Sequence, residues 1–281
     1  MKVYVFPGQG SQRAGMGMGL FDEFKIYTEQ ADEILGYSIK KLCLEDPDKV
    51  LSKTNFTQPA LYVVNALSYL KKKQEESEKA EYFAGHSLGE YNALFAAGAF
   101  DFATGLRLVK KRGELMNAIT GGGMAAVIGT DYASVADLLR SHTLDGVDVA
   151  NYNSVTQTVL SGLKKDLEKA ERIFEANNIM FVPLVVSAAF HSRYMREMVN
   201  EYALFLNQFN FNDLHTPVIA NVSARPYKNN EIAYNLREQL SNSVQWVETI
   251  RYLRSLGVLV FEEVGPGNVL DKLIKNIIIG K

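Results

Sequence analysis

The sequence GHSLG at residues 85–89 places Ser87 between two glycines, each two residues away. This spacing is typical of a nucleophile displayed on a sharp turn between a strand and a helix, because a Cβ at either glycine would collide with its neighbours. A β-rich run precedes the motif and a helical pattern follows it. We therefore predict that Ser87 is a nucleophile. The alternative is a glycine-rich turn whose serine only caps the following helix.

A serine hydroxyl needs a positioned base to react at neutral pH, and that base is most often a histidine. Of the four histidines, His86 adjoins Ser87 in the turn, where successive side chains diverge, and two others lie in polar stretches typical of the surface. His191 ends the apolar run 185–190, as expected at the mouth of a buried strand. We predict that His191 is the base; a buried histidine with a structural role only is the alternative.

A third, acidic member of a catalytic triad is not evident. No Asp or Glu stands out between Ser87 and His191 at the strand-end position where an α/β-hydrolase triad would place one. The imidazole is therefore oriented by a distant carboxylate or by a main-chain carbonyl.

Arg112 falls on the apolar face of a helix predicted over 101–116, between Leu108 and Met116. A guanidinium directed into an apolar face must meet an anion or a dense set of acceptors, because an unpaired buried charge is strongly unfavourable. Two roles are open. Arg112 binds a substrate carboxylate through two parallel hydrogen bonds, or it forms an internal salt bridge, for example with Glu90.

The loop PGQGSQ at residues 7–12 could be taken for a phosphate-binding loop. It lacks both the Lys-Ser/Thr ending of a P-loop and the glycine spacing of dinucleotide-binding proteins. We expect it instead to supply a backbone N–H that joins the N–H of Leu88 in an oxyanion hole.

Composition restricts the class of protein. The 281 residues are 47% apolar and 22% charged, with 30 basic against 32 acidic side chains. A net charge of −2 gives no general attraction for nucleic acid. The sequence also contains no uninterrupted run of 18 apolar residues, the length that would indicate a membrane span. The single cysteine, Cys43, excludes an intrachain disulfide and a multi-cysteine metal site. We expect a cytoplasmic protein that binds neither nucleic acid nor membrane.

The elements around these residues predict an α/β fold. Strands at 2–6 and 82–84, each followed by a turn, are typical of a parallel sheet. Between residues 123 and 186 the order changes to β-α-β-β-α-β, the ferredoxin-like split unit. Its predicted strands are 124–128, 147–151, 158–161 and 180–186, and its helices are 132–139 and 166–177. We predict a discontinuous large domain, residues 1–122 and 189–281, around a ferredoxin-like subdomain at 123–188.

Together the motifs resemble those of the malonyl-CoA:acyl carrier protein transacylases and the acyltransferase domains of polyketide synthases. The matching stretches run in family order: FPGQGSQ at 6–12, TQPA at 57–60, GHSLGE at 85–90, RG at 112–113 with Met116, FH at 190–191, Asn242 with VQW at 244–246, and EVGPG at 263–267. As a discrete chain with AAFH at 188–191, the protein looks most similar to the trans-acting acyltransferases that serve polyketide synthases lacking their own.

The resemblance implies an α/β-hydrolase-like large domain with a ferredoxin-like insert. It implies transfer of a malonyl group from malonyl-CoA to the phosphopantetheine thiol of an acyl carrier protein, in polyketide or fatty acid biosynthesis, through a malonyl-serine intermediate and without a metal or redox cofactor. The implied roles are Ser87 as nucleophile, His191 as base, the amides of Gln9 and Leu88 as the oxyanion hole, Arg112 as the carboxylate ligand, Gln58, Met116 and Phe190 as further pocket residues, and the main-chain carbonyl of Gln239 as the group that orients His191. The Phe190 ring would crowd an α-methyl group and so favour malonyl over methylmalonyl. We expect a monomer.

Two other functions are possible alternatives for this set of residues. An acyl hydrolase that clears carrier proteins would share the nucleophile and base, but would gain nothing from a buried Arg112. A catalytically silent docking protein would not need Ser87 and His191 at all. Because carrier proteins are acidic, a basic patch is expected near the mouth of the site, with Arg193 and Lys272 as candidates. The family often has Thr-Gly-Leu where this chain has Asp-Lys-Leu at 271–273, a difference that affects surface contacts rather than chemistry.

Overall fold

The computed structural model describes residues 1–76 and 79–280. Its helices are α1 (Leu20–Glu23), α2 (Lys25–Leu35), α3 (Ile39–Leu44), α4 (Thr54–Glu75), α5 (Gly89–Ala96), α6 (Phe102–Ala118), α7 (Tyr132–Ser141), α8 (Lys164–Ala176), α9 (Arg196–Leu206), α10 (Ile232–Glu238), α11 (Trp246–Ser255) and α12 (Val269–Ile279). Its strands are β1 (Lys2–Phe6), β2 (Tyr82–Gly85), β3 (Gly122–Ile128), β4 (Val147–Ser154), β5 (Gln157–Leu163), β6 (Met180–Pro183), β7 (Val218–Ile219) and β8 (Val260–Glu263). Ser77, Glu78 and Lys281, which fall within the ranges predicted for the large domain, lie outside the described residues.

The first sheet is parallel, with the strand order β7-β2-β1-β8. Successive side chains of a strand point to opposite faces. In the central strand β1, the side chains on both faces are buried in a core. Tyr4 and Phe6 pack into the larger core, whereas Val3 and Val5 pack into a second core with residues of α11 and α12. Helices cover both faces of the sheet, which explains why β1 is apolar at every position from Val3 onward.

The second sheet is antiparallel, with the order β4-β5-β3-β6. Its elements follow one another as β3-α7-β4-β5-α8-β6, the split unit predicted from the sequence. Helix α8 packs on it through Leu167, Ala170 and Phe174, which lie on one side of the helix. The predicted fold class is therefore confirmed.

The two sheets are joined where β4 passes the segment after α10. The N–H of Val244 donates to the carbonyl of Ala150 at 2.8 Å, and the N–H of Tyr152 donates to the carbonyl of Val244 at 3.0 Å. Beside them, the guanidinium and backbone N–H of Arg193 both bond to the carboxylate of Asp148. These contacts fix the inserted sheet against the chain that follows His191.

One local prediction was wrong. In the sequence, Leu61, Val64, Leu67 and Leu70 follow Pro59 at helical spacing, which predicts a helix with Pro59 in its first turn. In the structure α4 begins at Thr54 and contains Pro59 within its body. The first turn closes earlier because the N–H and hydroxyl of Thr57 both donate to the carbonyl of Lys53. Pro59 has no N–H to offer the carbonyl of Asn55, four residues before it.

Other elements are shorter than predicted or were not predicted. Strand β6 ends at Pro183 rather than at 186, because the N–H of Val186 turns back to the carbonyl of Leu184. The apolar run that begins at Pro217 predicts a further strand at 217–222, but β7 has only two residues. Helices α1, α2, α3 and α9 were not predicted. Within the described part of the chain, every helix is too short or too polar to span a bilayer.

Candidate active site

Ser87 lies on a sharp turn between β2 and α5. Its φ of 52° is in the left-handed region, which a residue with a side chain rarely adopts and which nucleophile turns of this type share. Steric clashes explain why glycine is required on both sides of Ser87. A Cβ at Gly85 would lie 2.0 Å from the carbonyl carbon of Gly89, and a Cβ at Gly89 would lie 1.9 Å from the carbonyl oxygen of Phe6. The turn therefore needs glycine at both positions.

His191 meets Ser87 from the far side of the cavity. Its Nε2 lies 2.8 Å from the Oγ of Ser87, and its Nδ1 lies 2.8 Å from the main-chain oxygen of Gln239. Since a carbonyl oxygen can only accept, the proton belongs on Nδ1 and Nε2 is free to accept from the serine hydroxyl. Burial and the charge of Arg112 lower the pKa of His191 to about 3. The imidazole is thus neutral at physiological pH, as a base requires.

Arg112 reaches the same cavity from α6 and is 1% exposed. Its NH1 donates to Oε1 of Gln58 at 2.7 Å, while its NH2 donates to Oε1 of Gln239 at 2.9 Å and to Oγ of Ser87 at 3.1 Å. No carboxylate forms a salt bridge with it within residues 1–76 and 79–280, so the internal salt bridge with Glu90 considered above is not formed. Neutral oxygens surround the charge, and it is free to bind an anion.

A cavity of about 100 Å³ connects these groups. It is lined by Ser87, His191 and Arg112, by the predicted oxyanion-hole residues Gln9 and Leu88, and by the predicted pocket residues Gln58, Met116 and Phe190. His86, Met124, Asn151, Leu184 and Val186 complete the lining. Sites for drug-sized ligands usually have volumes of about 300–1,000 Å³. The cavity therefore suits a short acyl group rather than a whole coenzyme. In the described ranges, no cluster of His, Cys, Asp or Glu side chains could hold a metal ion.

Residues 3–278 match the family described as acyl transferase domain. The chain is 59% identical to the polyketide biosynthesis malonyl CoA-acyl carrier protein transacylase BaeC of Bacillus velezensis, over 99% of this chain and 96% of that protein. It is 58% identical to the corresponding transacylase PksC of Bacillus subtilis, over 99% and 97% of the two chains. This chain belongs to the malonyl-CoA:acyl carrier protein transacylases.

Solved structures of the family have the same fold. The malonyl CoA-acyl carrier protein transacylase of Burkholderia pseudomallei superposes with a TM-score of 0.97 at 45% identity, covering 100% of this chain and 99% of that one. The malonyl-transacylase PlMCAT, solved with the type II polyketide synthase acyl-carrier protein AntF, gives a TM-score of 0.93 at 34% identity, covering 99% and 93%.

In this transacylase two backbone amides beside Ser87 are available to a ligand. Neither the N–H of Gln9 nor that of Leu88 donates to an acceptor in the described part of the chain, and both residues line the cavity. The loop of Gln9 packs directly on the nucleophile turn, since a Cβ at Gly8 would lie 2.4 Å from the carbonyl oxygen of His86. Two free N–H groups at the edge of the cavity are the donor pair that an oxyanion hole needs.

Beneath the nucleophile lies a buried carboxylate whose partners were not predicted. Oε1 of Glu90 accepts from the N–H of Asn221 at 2.9 Å and from the hydroxyl of Tyr227 at 2.6 Å, and its Oε2 accepts from Nε2 of Gln239. Burial raises the pKa of Glu90 to about 7, although the three hydrogen bonds and Arg112 oppose that rise. In the sequence, Glu90 appeared only as the last residue of the GHSLGE motif and as a possible partner of Arg112.

A larger opening of about 410 Å³ adjoins the acyl cavity at His191. It is lined by Val147, Asp148, Val149, Tyr152, His191, Ser192, Arg193, Arg196, Ser241, Asn242 and Ser243. Of the two candidates for a basic patch, Arg193 lines this opening and is paired with Asp148. Lys272 is exposed on α12 and lines neither cavity.

Proposed function

We propose that this protein transfers the malonyl group of malonyl-CoA to the phosphopantetheine thiol of an acyl carrier protein in polyketide biosynthesis, through a malonyl ester of Ser87. The main support is the position of Ser87 between His191 and Arg112. The Oγ of Ser87 lies 2.8 Å from the Nε2 of His191 and 3.1 Å from the NH2 of Arg112, inside a cavity of acyl size. A nucleophile, a neutral base and a cation thus meet at one point.

In the first half-reaction, Nε2 of His191 takes the hydroxyl proton as Oγ of Ser87 bonds to the thioester carbon. The negative charge on the carbonyl oxygen is stabilised by the amides of Gln9 and Leu88, each contributing about 3 kcal/mol to lowering the barrier. The carbon–sulfur bond then breaks, and the imidazolium returns the proton to the thiolate of coenzyme A. The malonyl group remains as an ester.

In the second half-reaction the thiol of the carrier protein takes the place of coenzyme A. His191 accepts the thiol proton as sulfur bonds to the ester carbon, and it returns that proton to Oγ of Ser87 as the ester bond breaks. The Gln239 carbonyl holds the imidazole in the required tautomer throughout, so no carboxylate is needed as the third member of a triad. The opening beside His191 suits the pantetheine arm of either thiol.

Arg112 selects the acyl group. The free carboxylate of a malonyl ester on Ser87 extends toward the guanidinium, where charge-assisted hydrogen bonds replace those to neutral oxygens. Phe190, which lines the cavity, crowds a branched acyl group. An acyl hydrolase would have no use for this cation.

The chain's organisation supports this reaction. We propose a catalytic domain of residues 1–122 and 189–281, which carries the nucleophile, the base and the arginine, and a subdomain of residues 123–188. We also propose that the protein acts as a monomer, with Ser87, His191 and Arg112 contributed by the same chain.

The decisive experiment is intact-mass measurement after the protein is mixed with malonyl-CoA, acetyl-CoA or methylmalonyl-CoA, followed by addition of holo carrier protein. We expect one malonyl adduct that disappears on transfer, little adduct from the other two thioesters, and none with Ser87→Ala. A hydrolase is identified instead if the adduct disappears without carrier protein. Equal loading by acetyl-CoA would contradict the selectivity.

A further inference from the structure

Glu90 is a buried ionisable group that the mechanism above does not use. It is 1% exposed in the first turn of α5, three residues after the nucleophile. Its three hydrogen-bond donors come from distant parts of the chain: Asn221 follows β7, Tyr227 lies further along the same segment, and Gln239 follows α10. A carboxylate with this many donors in the interior holds its partners in fixed orientations.

The first partner, Gln239, connects Glu90 to the base and to the arginine. Its Nε2 donates both to Oε2 of Glu90 and to the carbonyl of Ser87, and its Oε1 is thereby turned toward Arg112. The main-chain oxygen of the same residue bonds to Nδ1 of His191. If the glutamine amide were rotated by half a turn, an N–H₂ group would face the guanidinium and repel it.

The second partner, Asn221, connects Glu90 to the nucleophile turn. Its backbone N–H donates to Glu90, its Oδ1 accepts from the N–H of Ser87 at 2.7 Å, and its Nδ2 donates to the carbonyl of Gly85 at 2.6 Å. One side chain therefore binds both sides of a turn whose central residue is in the left-handed region. A backbone conformation of this kind persists only where surrounding contacts hold it in place.

We propose that Glu90, as a carboxylate, is the positioning residue that orients Gln239 and Asn221, and through them His191, Arg112 and Ser87, for acyl transfer. This inference rests on the proposed function. A carboxylate accepts from all three donors at once, whereas protonation removes acceptor capacity and also removes the charge that strengthens each of the three hydrogen bonds. The anion is therefore the form that supports the active arrangement.

Protonation of Glu90 can be distinguished from protonation of His191, the other group whose titration would change the rate. The pKa of Glu90 is about 7, and the pKa of His191 is lowered to about 3. The ionisable groups around Glu90 are Arg112 on α6, Tyr91 on α5 and Tyr227, with Tyr202 of α9 behind the two tyrosines. The tyrosines stay protonated, because burial raises the pKa of each. Burial also lowers the pKa of His86, which lines the acyl cavity. An increase in the rate of malonyl loading between pH 6 and 8 that is absent in Glu90→Gln is therefore assigned to Glu90.

The test is the rate of Ser87 malonylation as a function of pH, with three variants. Wild type is expected to lose activity as the pH falls through about 7. Glu90→Gln, which keeps the shape but not the charge, is expected to lose this pH dependence, to load on the order of tenfold more slowly at pH 8 and to discriminate less between malonyl- and acetyl-CoA. Tyr227→Phe removes one donor that favours the carboxylate, so its profile should move to higher pH by on the order of one unit.

Tyr202→Phe is the matched control. It also removes a buried hydroxyl from this cluster, but that hydroxyl bonds to Tyr91 and to the carbonyl of Leu108, not to Glu90. Its pH profile should coincide with that of wild type. The inference is overturned if Glu90→Gln keeps the wild-type pH dependence or if Tyr227→Phe leaves the profile in place; should Glu90→Gln fail to fold, Tyr227→Phe against Tyr202→Phe decides. Absence of malonylation in wild type would instead refute the proposed function.

Discussion

Arg112 carries a full positive charge into a cavity where its hydrogen-bond partners, Gln58, Ser87 and Gln239, are all neutral. Its Nε has no partner among the described residues, and the ring of Tyr91 lies 5.7 Å from the guanidinium carbon. Neutral acceptors, one ring face and the more distant carboxylate of Glu90 offset only part of the cost of burying the charge. A carboxylate entering with the substrate completes the set of partners, so binding energy is directed to dicarboxylic thioesters.

Arg112→Ala tests this selection. We expect kcat/KM for loading from malonyl-CoA to fall by about 10–100-fold, the effect of losing hydrogen bonds to a charged group. Loading from acetyl-CoA should change little, so the preference for malonyl decreases by the same factor. Lys111→Ala is the control, because Lys111 lies on the same helix and pairs with Glu201 at the surface. A variant that retained the wild-type preference would show that the guanidinium does not bind the acyl carboxylate.

The side chains that react were predictable from the sequence, because the turn motif, the histidine at the end of an apolar run and the arginine on an apolar helix face are local patterns. The network around Glu90 was not. Its partners Asn221 and Gln239 lie 131 and 149 residues away along the chain, and only the tertiary fold brings them together. Their residue types, an amide in each case, carry no signal of their own.

At the scale of elements, the active site results from two parallel neighbours. Phe6, the last residue of β1, is in register with Gly85, the last residue of β2. The loops after the two strands therefore leave the same edge of the sheet side by side. This places the amide of Gln9 next to the turn of Ser87, with Gly8 at the closest point of contact.

Gly8→Ala tests that contact. The added methyl group would lie 2.4 Å from the carbonyl oxygen of His86, so the loop must move and the Gln9 amide with it. We expect malonyl loading to slow by about 10²-fold, as for the loss of one oxyanion donor. Gly123→Ala on β3 is the control, since its nearest neighbour is the end of the flexible Leu167 side chain at 3.2 Å. If Gly8→Ala loaded as fast as Gly123→Ala, the loop would not supply an oxyanion donor.

Element boundaries were predicted less well than element types. The fold class followed from strand and helix periodicity, but the start of α4 depended on how Thr57 closes its first turn, and the end of β6 on the turn at Val186. Both are decided by hydrogen bonds that short sequence patterns do not specify. The helices before residue 45 were missed although Ser38 caps α3, accepting from the N–H of Lys41.

At the scale of the whole molecule, the inserted sheet is held to the catalytic part beside the base. Arg193, two residues after His191, forms its ion pair with Asp148 of β4 and lines the larger opening. We propose that this arginine also contacts the acidic carrier protein, because the opening is the route to His191.

Arg193→Ala and Asp148→Ala separate the two roles. Both break the ion pair, and an exposed pair contributes about 0–1 kcal/mol to stability. Only Arg193→Ala removes the positive charge, so only it should raise KM for the carrier protein severalfold, most clearly at low salt. Malonyl loading should change less than KM for the carrier protein in both variants, because coenzyme A shares the opening through its pantetheine arm only. An equal rise of KM in the two variants would show that the pair aligns the sheets and does not contact the partner.

The residues that line the acyl cavity come from two parts of the chain, the insert and the sequence on either side of it. Ser87, Arg112 and His191 belong to the parts of the chain outside the insert, whereas Met124, Asn151 and Leu184 come from the insert. Substitutions in the insert can therefore reshape the space available to an acyl chain while the bond-making atoms stay where they are. Protein engineering could thus alter the width of the cavity without touching Ser87 or His191.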